Sequence, residues 1–141
     1  RNGGNMIRQS KQFTAIYCRI DNGGNADMMA ETVRHQELQA TEYARQNNLM
    51  PAHVFSDIGF SGNTMKRPAF QEMLRQIKAG NVSAVIVYNF SRFSRNTEDT
   101  CYLLETLFSP HCISLYSVQE GHDTLRMLDQ FSSFLWKGGK R

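Results

Sequence analysis

The sequence predicts a single α/β domain, a mostly parallel sheet of four to five strands flanked by helices. Three observations predict it. Apolar runs at residues 13–20, 84–88 and 112–118 have the length and continuity of strands buried on both faces. Segments with helical apolar spacing alternate with those runs, the pattern of a parallel sheet covered by helices. The chain of 141 residues, 40% hydrophobic and 21% charged, is long enough for one domain with a core of its own.

The elements follow in order. Residues 1–12 open with Arg1-Asn2-Gly3-Gly4-Asn5 and read as a disordered lead or an artificial remnant. Residues 13–137 form the domain. The first strand ends in Tyr17-Cys18-Arg19-Ile20, and Asp21-Asn22-Gly23-Gly24-Asn25 is a turn-rich loop. A helix over about residues 30–47 presents Val33, Leu38, Ala40, Tyr43 and Ala44 inward, and Asn47-Asn48 stops it. Residues 53–56 make a short second strand, and residues 57–63 a loop with two glycines. Pro68 suits the first turn of a helix that carries Phe70, Met73, Leu74 and Ile77 and ends near Gly80.

After the third strand, Asn96 or Thr97 caps a helix with Glu98 and Asp99 in its first turn. Its buried side is Tyr102, Leu103, Leu104, Leu107 and Phe108, and Pro110 closes it. The fourth strand follows, then a turn at residues 121–123. A last helix holds Leu125, Leu128, Phe131, Phe134, Leu135 and Trp136. Those residues read either as a core helix or as the root of a longer one. Residues 138–141 are a tail.

Several function classes drop out. No apolar run reaches the length of a membrane span and no signal peptide is visible. Cys18, Cys101 and Cys112 form neither a metal spacing nor a disulfide framework and read as small buried hydrophobes; a reducing cytoplasm fits them. His35, His53, His111 and His122 have no ligand spacing, so no metal is expected. Glycine-rich phosphate cradles are missing, and no cofactor is expected. Met28, Met29, Met65, Met73 and Met127 read as core filling.

The net charge of +3 permits a polyanionic partner without requiring one. The placement of Arg19, Arg67, Arg92 and Arg95 says more. Each stands at or just past the end of an element, and not at helical spacing along a solvated face. In an open α/β sheet, ligands bind outside the carboxyl ends of the strands. With Asp21, Gln36, Ser61 and Ser91, these arginines form the best constellation for chemistry. Guanidinium forks match phosphate oxygens and can stabilise a phosphoryl-transfer transition state. Taken singly, each also reads as a surface arginine in a loose ion pair. Both readings stand on the residues alone.

Tyr17-Cys18-Arg19-Ile20, Gln36, residues 57–62, Arg67-Pro68, residues 91–95 and Asp123 together resemble the resolvase/invertase superfamily. More narrowly, the chain resembles the N-terminal catalytic domain of large, transposon-type serine recombinases, over about residues 13–125. The resemblance implies a resolvase-like catalytic domain that acts on DNA without metal or nucleotide. A serine hydroxyl attacks a phosphodiester to give a 5′-phosphoserine link and a free 3′-hydroxyl; half-sites rotate within a tetramer and religate. Arg19, Arg67, Arg92 and Arg95 match the family's phosphate-binding arginines, and Gln36 and Ser61 match polar residues of the same active site. The family also implies a long dimerisation helix and separate site-reading domains beyond the sheet domain, before which this chain stops. The full-length protein is therefore expected to be a homodimer or tetramer.

The departures are specific. The family reads Tyr-x-Arg-x-Ser at the first strand end, and that serine is the nucleophile; this chain has Asp21 there. Large serine recombinases carry aspartate where this chain has Asn89, and glycine where it has Ser94. A carboxylate among four arginines stays ionised near neutral pH and takes the place of the phosphate. Attack by it would give an acyl phosphate, which water cleaves. The expectation is a recombinase fold impaired in strand transfer. Two alternatives remain: a non-catalytic regulator that binds DNA or a partner recombinase, and an α/β domain that binds a phosphorylated small molecule or other anion.

Overall fold

The computed structural model describes residues 11–122. The expected last helix, with Asp123 and Met127, lies outside the described residues, as do residues 1–10.

The first strand, β1 (Phe13–Ile20), is an inner strand of the sheet and is buried through six consecutive residues. Helix α1 (Ala26–Gln46) follows, then β2 (Ala52–Ile58), α2 (Pro68–Lys78), β3 (Val82–Val87), the short turn α3 (Phe90–Phe93), α4 (Thr97–Leu103), β4 (Ser114–Ser117) and β5 (Gly121–His122). The sheet order is β2-β1-β3-β4-β5. The first four strands are parallel; β5 pairs antiparallel with β4. The mostly parallel sheet is thus as predicted, except that residues 121–122 are a strand and not a turn.

Alternation along β1 divides the core. Ile16 and Cys18 face one side, with Ile86, and meet Val33, Ala40 and Ala44 of α1. Ala15 and Tyr17 face the other, with Val85, Val87 and Leu115, and meet α2 and the segment after α3. Phe93 joins α3 to that second layer through edge contacts with Phe70 and Phe108, at ring-centroid distances of 5.3 and 5.6 Å.

Several boundaries differ from expectation for physical reasons. Helix α1 starts at Ala26, because the Asn25 side chain accepts from Met28 N and caps it there. Strand β2 runs on to Ile58, since Asp57 and Ile58 pair with Arg19 and Ile20. Leu38 and Tyr102 are exposed, not inward; Met28 is exposed as well. From Leu104 to Phe108 the helix widens into a π turn; Leu103, Leu104, Leu107 and Phe108 are buried as expected, while Tyr102 lies on the side opposite that stripe. Cys18 and Cys101 are buried as expected, but Cys112 is exposed in a left-handed turn at φ 57. Among the described residues no helix is long and apolar enough to cross a membrane.

Candidate active site at the carboxyl ends of β1 and β3

The chain leaves β1 for one side of the sheet and reaches β3 on the other, so the two strands part at their carboxyl ends. That is the topological switch point, where an α/β sheet opens a crevice. The ladder between β1 and β3 ends at Tyr17 and Val87, while β1 stays paired with β2 to Ile20. Ile20 O accepts from Gly59 N and Phe60 N on the β2 side. By strand alternation the N–H and C=O of Arg19 point to the β3 side, where no strand remains. Gln36 of α1 fills that gap. Its Oε1 accepts from Arg19 N at 3.1 Å and its Nε2 donates to Arg19 O at 2.9 Å. Gln36 is buried and continues the ladder, which places it in the site through the backbone of Arg19.

The Arg19 side chain is fully buried, and backbone carbonyls hold it. Nη2 donates to Ser91 O at 2.8 Å, Nε to Arg92 O at 3.2 Å and Nη1 to Phe60 O at 2.9 Å. Its remaining charge is met by Asp21: Nη1 donates to Asp21 Oδ1. Arg95 Nη1 donates to the other carboxylate oxygen, Oδ2, at 3.1 Å. Burial alone would raise the Asp21 pKa. The hydrogen bond and charge of Arg19, with the charges of Arg95 and Arg92, outweigh it and hold Asp21 below the ordinary carboxylate value. Gly62 lies flat against the Arg19 guanidinium: a Cβ there would sit 2.7 Å from Nη2 and 2.9 Å from Cζ.

Arg67 precedes Pro68 and is also fully buried. Its guanidinium lies 3.7 Å from the Phe70 ring centroid, Nε donates to Thr64 O at 2.8 Å, and Nη1 donates to the Tyr17 hydroxyl at 3.2 Å. The Tyr17 hydroxyl donates onward to Asp57 Oδ2 at 2.6 Å. Asp57 in turn accepts from Ala69 N and Phe70 N, so it caps α2 from the end of β2. Burial lowers the Arg67 pKa most, and Arg19 adds to this by repulsion; Tyr17 and Asp57 oppose it. Burial likewise pushes the Tyr17 hydroxyl well up.

Arg92 sits on α3, half-buried. Burial first, then repulsion from Arg19 and Arg95, lowers its pKa. Among the described residues, two buried side-chain donors have no hydrogen-bond partner: Arg92 Nε and Arg67 Nη2. Four guanidinium groups against the Asp21 and Asp57 carboxyl groups make this a cationic pocket with donors to spare, suited to an oxyanion.

The sequence family described as Resolvase, N terminal domain, matches residues 14–136. The chain belongs to this family. Among solved structures, the N-terminal catalytic domain of TP901-1 integrase is 29% identical with a TM-score of 0.76, over 92% of this chain and 95% of that one. A resolvase family site-specific recombinase from Streptococcus pneumoniae is 24% identical with a TM-score of 0.70, over 91% and 88%. The C-terminal catalytic domain of ISC1926 TnpA, an IS607-like serine recombinase, has 22% identity and a TM-score of 0.63, over 88% and 83%; these last two share the fold. Among curated proteins no match was found.

Within this resolvase-family domain the predicted residues do not all stand alike. Arg19, Arg67, Arg92, Arg95 and Asp21 come together. Ser61 lies in the adjoining loop, where its Oγ accepts from Asn63 N at 3.0 Å. Ser91 gives its backbone carbonyl to Arg19, while its hydroxyl donates to Asn89 Oδ1 at 2.7 Å. The two departures at the third strand are accommodated locally. Asn89 caps α3 by accepting from Arg92 N, and its Nδ2 donates to Gln119, which an aspartate could not do. Ser94 Oγ accepts from Asn96 N at 3.0 Å.

Sequence reasoning assigned no role to Tyr17 or Asp57. One signal was available for Asp57: the residue before Pro68 is an arginine, which cannot cap a helix, so the cap for α2 had to come from elsewhere in the chain. Among the described residues no group of three or more His, Cys, Asp or Glu side chains is placed to hold a metal ion.

Proposed function

We propose that this domain is the catalytic domain of a site-specific DNA recombinase whose arginine pocket receives a DNA phosphodiester and whose own strand transfer is impaired by Asp21. One observation carries the reading: each Asp21 carboxylate oxygen is taken by one of the arginines that would otherwise bind phosphate oxygens. Arg19 and Arg67 supply fixed buried charge. Arg92 and Arg95 reach the phosphate from the crevice mouth, and the unpartnered Nε–H of Arg92 donates to one of its oxygens. Gln36 holds the Arg19 backbone, and Ser61 lines the loop beside it.

Asp21 then acts against the reaction in two ways. Its charge repels the incoming phosphate, and it offers a carboxylate where the family has a hydroxyl nucleophile. Carboxylate attack on phosphorus would expel the 3′-oxygen of the DNA and leave an acyl phosphate. Water would cleave that bond, so the outcome is a broken strand and not a religated one. In the full-length protein the domain works as a dimer or tetramer on DNA.

The second reading, a non-catalytic member that binds DNA or a partner recombinase, draws on the same ion pairs, since a neutralised pocket is a stable resting state. The test is the full-length protein and its Asp21→Ser variant on DNA carrying the recombination site. A protein–DNA band on a denaturing gel with serine alone supports an intact pocket lacking its nucleophile. A covalent adduct or recombined product from the Asp21 protein overturns the impairment. DNA retention without cleavage by either protein favours the regulator.

A further inference from the structure

The turn between β4 and β5 reaches across to the segment that holds Arg19. The β3–β4 ladder continues past the strands through Val118 N to Val87 O and Gln119 N to Tyr88 O. Side chains then extend it. Gln119 Oε1 accepts from Asn89 Nδ2 at 3.0 Å, and Gln119 Nε2 donates to the Tyr88 hydroxyl at 3.1 Å. Glu120 Oε1 accepts from Phe90 N, the first amide of α3, at 3.1 Å, and from the hydroxyl of Ser117. Ser117 is fully buried, and its hydroxyl also accepts from Glu120 N at 3.1 Å, which closes a ring around the turn. The two residues beyond Phe90 are Ser91 and Arg92, whose carbonyls receive Nη2 and Nε of Arg19.

We propose that Glu120 is a positioning residue for the arginine pocket, with Gln119 beside it: the pair clasps the α3 turn, and the α3 carbonyls in turn fix the Arg19 guanidinium. Glu120 makes no ion pair with an arginine among the described residues, so its contribution is to place backbone and not to neutralise charge. The role needs an oxygen acceptor at this position, and a neutral amide supplies one. Its effect on ligand binding rests on the phosphate-site reading; its effect on Arg19 does not.

The test has one readout without ligand and one with it. In ¹⁵N-labelled protein, solvent exchange of the Arg19 Nε–H reports its bond to Arg92 O. Glu120→Ala is expected to speed that exchange about tenfold and to weaken binding of inorganic phosphate about fivefold, the scale of one hydrogen bond. Glu120→Gln is expected to keep both within about twofold. Val33→Ala, on the opposite face of the sheet, controls for a general loss of stability.

Unchanged Arg19 exchange in Glu120→Ala overturns the proposal. So does equal acceleration in a Val33→Ala protein of matched stability. A Glu120→Gln protein that behaves like the alanine variant overturns it too, because charge would then be the requirement. If the parent fails to bind phosphate but Arg19 still responds selectively to Glu120→Ala, the clasp stands and the phosphate-site reading falls.

Discussion

The four arginines fall into two pairs with different physics. Arg19 and Arg67 are fully buried, and carbonyls, a hydroxyl and an aromatic face surround them. Arg92 and Arg95 stand at the mouth, and the Arg95 side chain is 45% exposed. Burying a guanidinium is costly unless its donors are met, and the fold meets those of Arg19 almost completely. The first pair is therefore part of the architecture and the second part of the contact surface. A pocket made this way holds positive charge before any ligand arrives, which is the preorganisation an anionic transition state exploits.

The sharpest way to break this comparison is to remove one arginine from each pair. Arg19→Ala strips donors from the carbonyls of Phe60, Ser91 and Arg92 and leaves Asp21 with only its outer partner. A loss of ~3–5 kcal/mol is expected in urea denaturation, because three carbonyls around the buried guanidinium lose their donors at ~1–3 kcal/mol each. Arg95→Ala should cost less than about 0.5 kcal/mol, as surface changes do, and show instead as weaker phosphate binding. Equal stability losses would dissolve the distinction.

A gentler probe of the inner pair is Gly62→Ala. The added methyl would overlap Arg19 Nη2, and the carbonyl cage leaves that group little room to yield. A cost of ~1–3 kcal/mol follows from overpacking, along with reduced phosphate affinity. Tyr17→Phe is milder still. It removes the hydroxyl between Asp57 and Arg67 but keeps the ring against Phe70, and should cost about 1–2 kcal/mol in the same denaturation measurement.

The division between the pairs also marks what the sequence made legible. The buried strands and the arginines at element ends could be read directly, because apolar continuity and position along the chain carry both. Whether an arginine was inside or outside could not, since that depends on where β3 stops relative to β1. The role of Gln36 was hidden for the same reason: its amide matters only because the β1–β3 ladder ends at Tyr17 and Val87. Leu38 and Tyr102 were assigned inward from helical spacing. Leu38 failed because α1 buries a narrow stripe through Val33, Gln36, Ala40 and Ala44, and Tyr102 because helical geometry puts it opposite the stripe of Leu103, Leu104, Leu107 and Phe108.

Asp21 lies between the pairs, one oxygen on each, and gives the smallest effect on stability and the most direct effect on binding. Its pKa is lower folded than unfolded, so its ion pairs stabilise the fold at pH values above the unfolded value of about 4. That contribution is lost as pH falls through the lower folded value. Because the Asp21 side chain is 36% exposed, solvent screens the pairs and the loss should be small. Anion binding should move the opposite way. Protonating Asp21 frees Arg19 Nη1 and Arg95 Nη1 and removes a negative charge from the pocket, so affinity for a singly charged anion such as perchlorate should rise as pH falls through the lowered folded value of Asp21, beneath the ordinary carboxylate range. Asp21→Asn should show the higher affinity already at pH 7 and lose the acid-dependent rise. Titration of both proteins across that range, with circular dichroism to follow folding, decides the matter. A parallel rise in the asparagine variant would mean that Asp21 does not govern the pocket.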